Sequence, residues 1–412
     1  MNTRIRVAAF ATLLLCLLVP ATATPVIDAE AARKLDDLIN AQIAKRITPS
    51  CCIVIGTRSK VLYAKAYGRY TYDPASPAVT LDTMYDMASC SKAVGTALAL
   101  ALLLQDGKLK LDDPVSKYLP SWDRDDKRTI TLRNLVTHTS GLPAYTSASR
   151  AEAIRKDSET HADALINHIA GLPLKYKTDE GHLYACLNFL ALARVNEEVA
   201  EVNQETLLRK RVWGQLGMTS TGYYLSDTQK KLCVPTQTPF QGDVHDPLAN
   251  YYRDGYHCPG NAGLFSTAND LAKFCKLILS NGRYGRRMPF RQRRVLSPVI
   301  VDMLFTNQVA APGKYTWGLG WGIGNSRPYP ASFKAGLKTA SISHSGYTGT
   351  AIELDRYAGT FTIILTNRVY PDDSTSIGPL RSGVRRVVIE ADSAYKSAPD
   401  SKPAPAPTAE NP

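Results

Sequence analysis

The chain has 412 residues, 44% hydrophobic and 21% charged, which is ordinary for a globular protein and long enough for one large domain or two smaller ones. Its net charge of +12 is spread along the sequence, with no basic run interleaved with aromatics, so a solvated basic surface is expected and a nucleic-acid site is not. No Cys-x-x-Cys or His-x-His cluster proposes a metal site and the 7 histidines are scattered, so the expected mechanism needs no cofactor.

Arg4 and Arg6 precede an apolar run over residues 7–19 and then Ala21-Thr22-Ala23, the pattern of a secretory signal. Residues 1–23 are read as that signal, with the mature chain starting near Thr24 and residing in the periplasm or outside the cell. The run falls short of the ~20 residues a spanning helix needs, and Pro20 interrupts it; an uncleaved membrane anchor is the alternative. Cys16 is a poor lipid-attachment site, because Leu15 stands where a small residue is required. Without Cys16, 7 of the 8 cysteines remain, so at least one thiol stays free. Cys233 and Cys258 flank a turn-rich stretch and are a candidate pair, as are Cys90 and Cys186.

Residues 29–45 have helical periodicity, and "CCIVIGT" and "KVLYAKAYG" read as two strands joined by a turn at Arg58-Ser59. From about 86 to 281 helices and loops dominate, opening with an almost wholly apolar helix from Met87 to Gly107. Strands return in "TWGLGWGI", "SISHSGYTGTAIEL" and "TFTIILTNR", the last two joined as a hairpin at residues 355–359. A final helix is expected over 377–395, and the Pro/Ala-rich tail 397–412 lacks the apolar payload to fold. The expected domain, 24–396, thus has a sheet region (24–85 and 282–396) assembled from distant parts of the chain and an all-helical region (86–281), with a cleft between them.

Ser89 and Lys92, three apart at the opening of the apolar helix, share one face. A serine is a weak nucleophile, but a lysine whose charge is disfavoured by dry surroundings can take its proton. Free N–H groups at a helix start also favour developing negative charge, so the Ser89 amide is a candidate oxyanion donor. The spacing alone decides little: it recurs at Ser393 and Lys396, and a serine at a helix start is commonly a cap.

In its neighbouring stretches the sequence resembles the serine β-lactamase and penicillin-binding protein superfamily, in the branch of class C β-lactamases, DD-peptidases and esterases. These stretches are "LQDGKLKLDDPVSKYLP", "ITLRNLVTHTSGLP", "VWGQLGMTSTGY", "GNAGLFSTANDLAKF" and "WGLGWGIG". The resemblance spans about residues 39–391 and implies an α/β sandwich: an antiparallel sheet flanked by terminal helices, plus an all-helical region. It implies Ser89 as nucleophile and Lys92 as base. Tyr184, in a Tyr-x-Asn-like Tyr184-Ala185-Cys186, would relay the proton; a packed aromatic is the alternative. The third motif would be His344-Ser345-Gly346, with Gly346 admitting substrate backbone and the Tyr347 N–H as second oxyanion donor. Lys334-Ala335-Gly336 competes for that place, in a stretch without strand alternation.

Two departures from the family pattern bear on chemistry. Cys186 stands where the family has asparagine, exchanging an amide for one weak thiol donor, which makes efficient β-lactam hydrolysis doubtful. His344 replaces a lysine and leaves no fixed cation for a substrate carboxylate at neutral pH. His138 and the pair His245-Asp246 are read as structural loop positions, and "GLGWGIG" as strand rather than dinucleotide loop, since no helix follows it. The absence of Gly-x-Ser-x-Gly argues against an α/β-hydrolase. The expected activity is acyl transfer through a Ser89 ester, on an ester or a D-amino-acid peptide or β-lactam-like amide, small or derived from peptidoglycan. The rival is a non-turning-over sensor that captures such ligands, and peripheral association with the cell envelope is compatible with either.

Overall fold

The computed structural model describes residues 27–237, 240–285, 293–310, 315–324 and 341–391. The leader with Cys16, the alternative motif at Lys334-Ala335-Gly336, Ser393, Lys396 and the tail 397–412 lie outside these. Among the described residues no helix is long and apolar enough to cross a membrane.

Helix α1 (Ala29–Ala44) is started by the Asp28 carboxylate, which accepts the Ala31 N–H at 2.8 Å. Strands β1 (Ser50–Thr57) and β2 (Val61–Gly68) follow, and the rest of the main sheet comes from the far end of the chain: β3 (Gly322–Gly324), β4 (Ser341–Ser345), β5 (Ala351–Asp355) and β6 (Thr360–Thr366). The six strands run in the order β2-β1-β6-β5-β4-β3, each antiparallel to its neighbours. β1 is buried on both faces, which explains its unbroken apolar sequence. Ile53 and Ile55 pack with Leu35 and Ile39 of α1 and with Leu380 and Val384 of a C-terminal helix (Gly378–Ala391). Cys52 and Val54 point the other way, into the core shared with the helical region. Each isoleucine so buried contributes ~1.5–3 kcal/mol, enough to pin strand register, since a slip of one residue would reverse both faces.

Between β2 and β3 lies the helical insertion. Its centre is α2 (Ala97–Gln105), in which every residue from Ala97 to Leu103 is buried, against α3 (Cys186–Ala200). Helix α4 (Ala268–Leu279) then packs on β1 and β6, opposite α1; the C-terminal helix is α5. The architecture is thus an α/β sandwich with an antiparallel sheet, terminal helices on one face and a helical region on the other.

Three local expectations change. The opening helix is not continuous from Met87: residues 92–96 form a π turn, and only then does α2 begin. Gly95 is the cause. A Cβ there would lie 2.0 Å from the Tyr223 hydroxyl, so the bare backbone lets Tyr223 into the helix wall. The widened turn frees the Thr96 carbonyl, and Asn196 of α3 donates to it at 3.0 Å. "TWGLGWGI" is strand only at its end. Gly320, at φ 73°, brings the preceding loop against Ala97, where a Cβ would sit 2.3 Å from that side chain. "SISHSGYTGTAIEL" is two strands, β4 and β5, around a turn at 346–350.

Glu197 on α3 is 4% exposed; Oε1 accepts the Cys258 N–H at 2.8 Å and the Gln204 N–H at 3.3 Å, and Oε2 is buried without a partner. Burial pushes its pKa up to about 8 against the two N–H groups that lower it. The folded state therefore holds this proton more tightly than the unfolded chain, with stability full below about 4.5 and lost as pH rises through 8. Glu197→Gln is expected to gain on wild type by on the order of 3 kcal/mol between pH 4.5 and 8, measured by urea unfolding; a constant difference across that range contradicts the assignment.

Candidate active site

The site begins with a strained turn. A two-residue strand, Tyr85–Asp86, ends at Met87, and Ala88 is held at φ 44°, a left-handed conformation costing ~1–3 kcal/mol in a residue with a side chain. Asp86 holds it there: one carboxylate oxygen accepts the Ala88 N–H at 2.7 Å and the other the His245 N–H at 2.9 Å. The turn presents Ser89 half-buried at the head of the helix, and the Lys92 N–H bonds the Ser89 carbonyl at 3.0 Å. The Lys92 amine is then 3.1 Å from Ser89 Oγ, 2.8 Å from the Asn261 carbonyl and 3.4 Å from Cys186 Sγ, on a side chain with 0% exposure. Three acceptors match the three N–H bonds of an ammonium.

Tyr184 stands just before α3, with its ring 4.9 Å from Lys92 Nζ. Its phenol interacts with both Lys92 and Ser89. The chain around it is held by His138, itself at φ 61°: Nδ1 accepts the Ala185 N–H at 3.1 Å and the Asn188 amide at 3.2 Å, and the His138 carbonyl accepts the Leu183 N–H at 3.1 Å. The imidazole packs 4.5 Å from the Tyr184 ring and 5.1 Å from Trp317. His138 thus holds the segment carrying Tyr184 rather than joining a His-Asp pair with His245, whose ring stacks 5.7 Å from Tyr347 and whose N–H bonds Asp86.

The third side is the end of β4 and the turn after it. Thr348 Oγ1 donates to the Asp86 carbonyl at 2.8 Å, Thr350 Oγ1 to the Met87 carbonyl at 2.9 Å, and Cys90 Sγ to the His344 carbonyl at 3.5 Å. Gly346 is needed for this docking. A Cβ there would lie 2.3 Å from Thr350 Oγ1 and 2.5 Å from the Met87 carbonyl, so the bare backbone is what lets this turn meet the Ser89 turn. The backbone N–H groups of Ser89 and Tyr347 have no partner among the described residues, as an oxyanion pair requires. Tyr347 is 52% exposed, and Ser345 is exposed at the rim.

Charge in the site is set by burial and by Lys92. Burial lowers the Lys92 pKa, but negative charge on Cys186 or Tyr184 raises it more, and the net direction is up. The charge on the amine thus depends on whether its neighbours are ionised. Tyr184 is raised by burial and pulled down by Lys92, so the two titrate as a pair. Burial and Lys92 press His344 down to about 3, and burial takes His138 well below the usual histidine range. Both imidazoles are neutral near pH 7; His344 Nδ1 donates to the Ser345 carbonyl at 3.1 Å, and its Nε2 is buried without a partner.

Ser89, Lys92, Tyr184 and Cys186 are thus in one cluster, with His344, Gly346 and Tyr347 docked beside it. The paired cysteines do not form: all seven described cysteines are free thiols. Cys90 turns to the His344 carbonyl, Cys186 to Lys92, and Cys233 to the Gln229 carbonyl. Sequence reasoning missed Asp86, Asn261, Thr350 and Trp317. Asn261 and Thr350 lie inside the stretches "GNAGLF" and "GYTGT" already singled out, whereas Asp86 has no local signal beyond its place two residues before a strained turn.

The sequence profile of the Beta-lactamase family matches residues 35–382. A Salmonella heidelberg protein named as a candidate D-alanyl-D-alanine carboxypeptidase is 26% identical over 374 residues, 83% of this chain and 83% of its own. The crystal structure of a candidate β-lactamase from Bacteroides dorei superposes with a TM-score of 0.64 at 26% identity, covering 86% of this chain and 98% of that one. EstCE1, described as a hydrolase with promiscuous acyltransferase activity, shares the fold at a TM-score of 0.67 and 21% identity, covering 87% and 98%.

Asp86→Asn keeps the side chain's shape but turns an N–H donor toward an N–H donor. It is expected to cost ~1–3 kcal/mol in chemical denaturation and to slow acylation of Ser89 at least ~10-fold in the folded fraction. Wild-type stability and acylation would show that the turn needs no such anchor.

Proposed function

The chain belongs to the Beta-lactamase family of serine hydrolases, and from that premise we propose that it hydrolyses an ester of a neutral, apolar or aromatic acid through a covalent Ser89 intermediate. The observation that carries this reading is the 3.1 Å contact between Ser89 Oγ and the buried Lys92 amine, beside the unpartnered N–H groups of Ser89 and Tyr347. Ser89 Oγ attacks the carbonyl carbon while its proton passes to the Lys92–Tyr184 pair. The two N–H groups take the oxyanion, and Tyr184 returns the proton to the leaving oxygen. Water then repeats the sequence on the acyl-enzyme. Each oxyanion donor is worth ~10²–10³ in rate.

Substrate class is argued from charge and surface. Neutral His344 offers no cation to a terminal carboxylate, and Lys92 is committed to three acceptors inside the site. Tyr184, Trp317, His182 and Tyr315 form an aromatic wall, with His182 and Tyr315 stacked at 5.0 Å. Such a wall suits an apolar acyl or alcohol group better than a D-alanyl-D-alanine terminus. The peptidase reading rests on the names of relatives; a slowly turning-over sensor is favoured by one observation, the thiol of Cys186 at the amide position. The leader-like residues 1–23 support export to the periplasm or beyond.

The decisive experiment labels purified protein with a fluorophosphonate and a fluorescent penicillin, alongside Ser89→Ala. Labelling that requires Ser89, with turnover of p-nitrophenyl esters exceeding that of D-Ala-D-Ala peptides, is expected; labelling that survives Ser89→Ala removes the proposed nucleophile. The pair must shed a proton whose pKa is raised, so ester kcat/KM should climb as pH rises from 6 to 10, with no inflection at the histidine value of ~6.5. A plateau reached below neutrality would assign the base to another group. Cys186→Asn restores amide donors and is expected to raise penicillin acylation relative to ester turnover; an unchanged ratio would place β-lactam discrimination elsewhere.

A further inference from the structure

A cavity of about 600 Å³ lies on the far side of β4 and β5 from the catalytic cluster, between these strands, β6 and α5. That is the size of a small-molecule site. Its apolar lining includes Ala351, Ile364, Val384, Val388 and Ile389, and it reaches His344 and Ser345 of β4. Its charged groups are mostly committed. Glu353 pairs with Arg385 at 2.9 Å, and Asp355, at the other end of β5, accepts the Ala358 N–H at 2.8 Å. Arg381 differs: Nη2 donates to the Gly346 carbonyl at 2.6 Å and the Thr350 carbonyl at 2.8 Å, but Nε is buried without a partner, and no carboxylate pairs with it among the described residues. A guanidinium withdrawn from water without a counter-ion favours any anion that can reach it, and burial already brings the Arg381 pKa down to about 10.

We propose that this cavity is a second binding site, for a small organic carboxylate with an apolar body, whose head group pairs with Arg381. The body lies along the sheet toward Ile364 and Val388. Arg381 also ties this site to the first. It braces both ends of the 346–350 turn that carries the Tyr347 N–H, so a bound carboxylate that draws the guanidinium into the cavity loosens that brace. Occupancy should therefore slow catalysis without competing for Ser89.

The test titrates the full-length protein with octanoate, octylammonium and octanamide by calorimetry, which reads occupancy whether or not an ester is turned over. Octanoate is expected to bind one-to-one and at least tenfold tighter than the other two. Ser382 lines the cavity, is exposed and bonds only to the Gly378 and Pro379 carbonyls of its own helix, so Ser382→Trp fills the space without disturbing the core. It should weaken octanoate at least tenfold while leaving ester kcat/KM within twofold of wild type. Saturating octanoate should lower the kcat of the wild-type protein with little change in KM. No octanoate binding, equal affinity for the three ligands, binding unaffected by Ser382→Trp, or inhibition competitive with ester each overturns the proposal.

Discussion

The structure is organised around one lysine amine kept from water. Lys92 has no exposed surface, and a lysine head group is tolerated there only because three acceptors meet it: a hydroxyl on its own helix, a thiol at the start of α3 and a carbonyl of the 260 loop. Each acceptor arrives on a different element, so satisfying the amine fixes those elements relative to one another. The wholly apolar α2 behind it supplies the dry surroundings, and the π turn at Gly95 lets Tyr223 in without moving Lys92 off the face it shares with Ser89. The contacts that hold the amine also limit it as a base. Its reactivity depends on Tyr184, which takes up or gives back a proton only in concert with it.

The backbone strain at Ala88 belongs to the same arrangement. A left-handed alanine persists because Asp86 bonds the Ala88 N–H from inside the protein, and Thr348 and Thr350 bond the Asp86 and Met87 carbonyls. Thr348 lies within the turn that carries the Tyr347 N–H, and Thr350 at its end. The Ser89 turn and the Tyr347 turn are thus joined directly by side-chain-to-backbone hydrogen bonds. Gly346 has its role here: it removes the one atom that would hold the two turns apart.

Much of this could be read beforehand. Alternation and apolar runs located both ends of the sheet, because β1 and β6 are buried on two faces and contain little else. The Ser89–Lys92 spacing and the Tyr184 segment were visible through their flanking stretches. Strand breaks were harder: "SISHSGYTGTAIEL" keeps its apolar rhythm through a turn, and only the tertiary contact at Gly346 requires the chain to reverse there. Protonation was harder still. Whether Lys92 carries charge depends on Cys186, Tyr184 and Asp246, which come from other parts of the chain, so no local pattern encodes it. His138 illustrates the converse. A histidine beside serine and threonine suggests chemistry, yet its place is to hold the segment carrying Tyr184 by accepting two N–H bonds.

The pairing of β1 with β6 sets Cys51 opposite Thr366, so strands made early in synthesis wait for nearly the whole chain before their ladder closes. Ser89 and the Tyr347 N–H lie on opposite sides of more than half the polypeptide, so on the proposed mechanism the site is complete only once these long-range contacts have formed.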